Sequence, residues 1–152
     1  MIFRILFMID DPSQSAEIKV YDLTESEVAM APKRILMLED EVEFRVMIKE
    51  LLESHGCEVT CVGSGTEGFK CVMAQDFDVI LCDLLMPTLP GDMFYLAVEK
   101  TRPKLCKRFI FISGNRADPR WEGFIKKIHG VILWKPFHTN ELLTAIDRVL
   151  AL

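Results

Sequence analysis

Four apolar runs in this 152-residue chain each end on a polar side chain that could handle a phosphoryl group. Glu39 and Asp40 follow Ile35 to Leu38, Asp83 follows Val79 to Cys82, Ser113 follows Phe109 to Ile112, and Lys135 follows Val131 to Trp134. If the first two of these runs are neighbouring strands, three carboxylates converge, and their repulsion raises at least one pKa unless a cation neutralises them. An all-oxygen set of carboxylates and water suits Mg²⁺, which keeps several waters and usually joins protein carboxylates to a phosphate. Ser113 can donate a hydroxyl hydrogen bond and Lys135 carries a mobile point charge, so both suit the oxygens of a phosphoryl group passing to a carboxylate. Asp83 is then the nucleophile, accessible above the sheet because the turn-rich loop Leu84 to Gly91 follows it. Taken singly, the acids read as helix caps or solvated loop residues, Ser113 as a turn residue and Lys135 as a surface residue. Their joint placement on successive strand ends carries the argument.

The elements that would position them recur from Lys33 onward. After the run at Ile35 to Leu38, the residues Phe44, Met47, Ile48, Leu51, Leu52 and His55 fall on one helical face that ends at Gly56. The same pairing repeats: Glu58 to Val62 with Thr66 to Gln75, then Val79 to Cys82 with Asp92 to Thr101, stopped by Pro103. A fourth unit joins Phe109 to Ile112 with a helix capped by Asp118, opened by Pro119, faced by Trp121, Phe124, Ile125 and Ile128, and followed by Gly130. The fifth strand, Val131 to Trp134, leads to a helix capped by Thr139, with Leu142, Leu143, Ile146, Val149 and Leu150 inward. Five strand–helix units with strands apolar on both faces predict an α/β, doubly wound, flavodoxin-like five-stranded parallel sheet with helices on both sides. Ligands in such folds sit beyond the carboxyl ends of the strands, where the strand order reverses.

The length fits one domain with a short appendage, and half the residues are hydrophobic, enough for a sizeable core. A net charge of -5 without a basic cluster argues against direct nucleic-acid binding. The five cysteines, Cys57, Cys61, Cys71, Cys82 and Cys106, are an odd number lying mostly in apolar segments and read as reduced core residues. His55, His129 and His138 share no ligand spacing and read as structural or surface residues. The apolar start MIFRILFMI is too short for a membrane span and lacks a cleavage site, so the chain is expected to be soluble and cytoplasmic, with no membrane insertion. Residues 1–32 read as an N-terminal extension: Phe3 to Ile9 and Ile18 to Leu23 form either an ordered hairpin or a frayed arm, and Thr24 to Pro32 a polar linker. RILFMIDD at Arg4 to Asp11 resembles RILMLEDE at Arg34 to Glu41, but Pro12 and the polar run after it leave no helix to complete a second unit.

The stretch 33–152 resembles the receiver domain of two-component response regulators. The matching motifs are Glu39-Asp40, DVILCDLLMPTLPG at Asp78 to Gly91, FISG at Phe111 to Gly114 and WKPF at Trp134 to Phe137, with a matching interval from Asp40 to Asp83. The resemblance implies strand order 2-1-3-4-5, with Asp83 accepting a phosphoryl group from a phosphohistidine of a sensor histidine kinase or a histidine phosphotransfer protein. It also implies Mg²⁺ held by Glu39, Asp40, Asp83 and the backbone carbonyl of Leu85, phosphoryl contacts from Ser113 and Lys135, and a cis bond before Pro136. The change of state then controls partner binding through a switch region of Ser113, Ile132 and Trp134.

Three departures from the family pattern have consequences. Ile132 stands where the family carries its switching aromatic; Trp134, on the same side of the strand, either reports in its place or simply packs under the last helix. Glu39 replaces the commoner Asp and keeps the oxygen ligand. Leu85 cannot orient water, which implies slow self-dephosphorylation. By family resemblance Trp121, Phe124 and Ile132 also outline a surface for a homodimer, and the N-terminal arm is a second place where chains could pair. The protein is then a signalling phosphoacceptor rather than an enzyme, acting by binding a partner, by passing phosphate along a relay, or as a piece of a larger hybrid kinase. The alternative is a degenerate receiver that binds partners without phosphorylation. A haloacid-dehalogenase phosphatase would need a second Asp where Leu85 stands, and an FMN binder would need a Ser/Thr/Gly-rich loop where Glu39-Asp40-Glu41 would repel phosphate.

Overall fold

The computed structural model describes residues 31–152 in full and, before them, the backbone of two strands. The chain divides into two compact units, Met1–Pro32 and Lys33–Leu152. In the first, β1 (Phe3–Ile9) pairs antiparallel with β2 (Glu17–Leu23), Phe3 opposite Leu23 and Ile9 opposite Glu17. Most of the expected linker, residues 24–30, lies outside the described residues.

The second unit alternates strand and helix. Its order is β3 (Arg34–Leu38), α1 (Val42–Ser54), β4 (Glu58–Val62), α2 (Gly65–Ala74), β5 (Val79–Asp83), α3 (Gly91–Thr101), a 3₁₀ turn (Pro103–Arg108), β6 (Phe109–Ser113), α4 (Pro119–Ile128), β7 (Val131–Trp134) and α5 (Thr139–Leu150). The five strands are parallel in the order β4-β3-β5-β6-β7, which is the doubly wound order 2-1-3-4-5. Residues buried on both faces explain the unbroken apolar runs: every residue of β5 and β6 is buried. Because side chains alternate along a strand, each strand feeds two cores. Leu36, Leu38, Ile80, Cys82, Phe109 and Phe111 pack with Val72 of α2, Phe94, Tyr95 and Val98 of α3, and Trp121 of α4. Ile35, Met37, Leu81, Ile110, Ile112 and Leu133 pack with Ile48 and Leu52 of α1 and Leu142, Ala145, Ile146 and Val149 of α5.

Several local expectations shift. Met47 is 55% exposed and His55 is exposed at the C-cap, so the buried face of α1 is narrower than its apolar period. Thr139 is the first residue of α5 and His138 holds the cap position, where its backbone N–H donates to the Glu141 carboxylate at 2.7 Å. The left-handed residue ending α4 is His129 (φ 53°), with Gly130 after it. Of the five cysteines, all free, only Cys82 is fully buried; the others are half-buried, and burial raises all five thiol pKa values, so none is an activated nucleophile.

Candidate functional site

The strand order reverses between β3 and β5, which opens a crevice at their carboxyl ends. Register brings the polar residues level there, since Leu38 lies opposite Cys82, Asp83 opposite Ile112, and Ser113 opposite Trp134. Main-chain bonds extend the ladder past the strands: Glu39 N–H donates to the Val62 carbonyl (3.1 Å), Leu84 N–H to Ile112 (2.9 Å) and Lys135 N–H to Ser113 (2.8 Å). Glu39, Asp83 and Ser113 are buried at 1%, 5% and 0% exposure, while Asp40 is exposed.

Lys135 Nζ donates to Glu39 Oε2 at 2.8 Å and to Asp83 Oδ2 at 3.1 Å. The remaining oxygens also have donors, Glu41 N–H to Glu39 Oε1 (3.0 Å) and Leu85 N–H to Asp83 Oδ1 (2.7 Å). Ser113 Oγ accepts from Asn115 N–H at 3.2 Å. Glu39, Asp40 and Asp83 each offer a carboxylate oxygen within 4.8 Å of the others, an oxygen set that fits a small hard divalent cation. The loop after Asp83 turns back tightly, with Gly91 N–H donating to the Leu84 carbonyl at 3.2 Å. A Cβ at Gly91 would lie 2.5 Å from the Asp83 carbonyl oxygen, so only glycine permits that return. The Lys135–Pro136 peptide is cis.

Burial pushes the Glu39 pKa up, and the hydrogen bonds from Lys135 and from the Glu41 amide only partly offset it. Burial alone would draw Lys135 down, but its hydrogen bond to Glu39 and the Asp83 charge outweigh it, and its pKa is raised. Folded Glu39 therefore holds a proton that the unfolded chain releases from about its ordinary value of 4.5 upward. Its contribution to stability is full below that value and is lost as pH rises through the raised one. Urea midpoints measured in chelator between about pH 4 and 8 should carry this falling component, and Glu39→Gln should remove it. An unchanged slope would assign it to other groups. Lys135 acts in the opposite range: its contribution is complete at neutral pH and fades only above its raised alkaline pKa.

All the candidate residues named from sequence except the switch pair thus gather within this one crevice. Leu85 contributes its backbone and leaves a 48% exposed side chain at the rim. Ile132 and Trp134 are half-buried against the α2–α4 face, and Arg116 lies 5.7 Å from the centre of the Trp134 ring. The last helix, α5, covers the other face, which corrects the reading of Trp134 as packed beneath it. Trp121 is also inside, only 3% exposed, so it adds nothing to an outer dimer surface. His55, His129 and His138 are exposed and apart from the site.

Two participants were not singled out from sequence. Arg45 Nη1 donates to the Glu39 carbonyl at 2.8 Å, and the Phe44 ring lies 4.2 Å from Lys135 Nζ. Their position one turn into the helix that follows an acidic pair was the available signal. Phe44 read only as part of an apolar stripe.

Residues 35–147 match the family described as response regulator receiver domain. Response regulator receiver protein CpdR of Brucella abortus is 28% identical over 118 residues, covering 78% of this chain and 97% of that protein. Sensor kinase CckA of the same species is 27% identical over 143 residues, covering 93% of this chain but 15% of the kinase. Among solved structures, the receiver domain of sensor histidine kinase PA1611 from Pseudomonas aeruginosa, described with a magnesium ion in its active-site cleft, superposes with a TM-score of 0.71. It is 26% identical, with 80% of this chain and 100% of that one covered. A strand order, a level row of acid, serine and lysine, and a matched profile over most of the chain agree: this chain belongs to the response regulator receiver family of two-component signalling.

Proposed function

We propose that the chain is a phosphoacceptor of a two-component phosphorelay, acting in the cytoplasm and taking its phosphoryl group on Asp83 from a phosphohistidine. The observation that carries this reading is the Asp83 carboxylate held at the sheet end between the Lys135 ammonium and two further acids. An Asp83 oxygen attacks phosphorus, a P–O bond forms as the P–N bond breaks, and the leaving imidazole keeps the P–N electron pair and takes up a proton. Lys135 and Ser113 stabilise the oxygens on which charge spreads. Glu39, Asp40, Asp83 and the Leu85 carbonyl would hold Mg²⁺, which supplies charge neutralisation for carboxylates and phosphoryl oxygens. The new phosphoryl adds between about -1.5 and -2 charge beside Ser113, and Ser113, Ile132 and Trp134 transmit it to the surface that binds a partner.

The donor is a sensor histidine kinase or a histidine phosphotransfer protein. The similarity to a sensor kinase, extending over 93% of this chain and so beyond the receiver unit, also favours a place within a hybrid kinase. The test is intact mass after incubation with a small acyl phosphate, with and without Mg²⁺. One phosphoryl group gained per chain, only with Mg²⁺, is the expected result. No gain under any condition would replace this reading by a phosphorylation-independent interaction module.

A further inference from the structure

An ammonium has three N–H directions, and in this site two of those of Lys135 are spent on Glu39 and Asp83. Beside it the ring of Phe44 lies with its centroid 4.2 Å from Nζ, close enough for attraction between the cation and the ring quadrupole. The ring is itself fixed, since Phe137, two residues after Lys135, meets it edge-on at 5.9 Å and 82°. Arg45, the next residue on α1, ties that first turn to the Glu39 carbonyl. The turn that carries Phe44 and the strand end that carries Glu39 are thus bound together, and the ring stands at a fixed place relative to both carboxylates.

From this arrangement we infer that Phe44 is a positioning residue for phosphoryl transfer, its ring holding the Lys135 ammonium at Asp83. Lys135 is 23% exposed, so without the ring water would compete for that side of the ammonium and its long stem would sample other positions. The phosphoryl oxygens would then meet a cation less often in place. The inference rests on the reading of Asp83 as phosphoacceptor for its kinetic consequence, though not for the contact itself.

The experiment compares the full chain with Phe44→Leu, Phe44→Trp and Phe44 replaced by 3,4,5-trifluorophenylalanine, which keeps the shape and weakens the ring quadrupole. Uptake from a small acyl phosphate should slow about threefold to tenfold in Phe44→Leu and in the trifluoro variant, and recover in Phe44→Trp. Equal rates throughout would overturn the inference. So would a trifluoro variant as fast as the parent beside a slow Phe44→Leu, because that assigns the effect to packing. A readout independent of phosphorylation is the Lys135 ammonium resonance in proton–nitrogen spectra. The ring current should displace it in the parent and in Phe44→Trp but not in Phe44→Leu. If the parent takes up no phosphoryl group at all, the phosphoacceptor reading fails and this resonance still decides: a displaced signal upholds Phe44 as the holder of Lys135, and an undisplaced one overturns it.

Discussion

Asp83→Asn should abolish covalent phosphoryl uptake while leaving the domain folded. Asn keeps the shape and an oxygen able to accept the 2.7 Å hydrogen bond from the Leu85 amide, so the β5–α3 loop retains its anchor. What disappears is the charged carboxylate proposed as the nucleophile. Removing one of three acids should also weaken Mg²⁺ binding by at least about tenfold, because the oxygen set loses a charged member. Intact mass and a Mg²⁺ titration followed by the fluorescence of the two tryptophans, Trp121 and Trp134, would measure both. Persistent uptake in Asp83→Asn would place the acceptor on another residue and end the assignment of Asp83.

Phe94→Ala is expected to have the largest effect on stability. Phe94 is fully buried on α3, its ring 5.7 Å from that of Phe109 on β6, and its amide donates to the Pro90 carbonyl at 2.9 Å where the loop after Asp83 ends. Truncation removes a ring from a core that cannot collapse around a sheet, at a cost of about 3–5 kcal/mol. That is a large part of the about 5–15 kcal/mol that holds a typical domain together. Phe94→Leu keeps much of the volume and should cost less than about 1.5 kcal/mol. Urea unfolding of the three proteins tests the ranking; a loss below about 1 kcal/mol in Phe94→Ala would show that neighbouring side chains refill the space.

The sheet and its site residues were legible because strands buried on both faces leave uninterrupted apolar runs, and the first polar residue after each run marks its end. Glu39, Asp83, Ser113 and Lys135 were found in this way. Period-two spacing also put Ile132 and Trp134 on one side of β7, but spacing alone does not say which side, and so Trp134 was open to assignment beneath α5. Helix ends were less legible. His138 caps α5 because Glu141 reaches back to its amide, a bond that Thr139 as a preferred cap residue concealed. The roles of Phe44 and Arg45 depend on how α1 lies against the end of β3, and periodicity within one helix carries no such information.

The closing pair of the site, Glu39 and Lys135, are 96 positions apart in the chain. At about 5–20 residues per second, a ribosome adds Lys135 about 5 to 20 s after Glu39. Throughout that interval the growing polypeptide carries the acids without their ammonium and β6 without its neighbour β7. The cluster of acids and ammonium is therefore complete only once β7 has docked beside β6, and on the reading proposed above the full acceptor site is among the last parts of the domain to assemble.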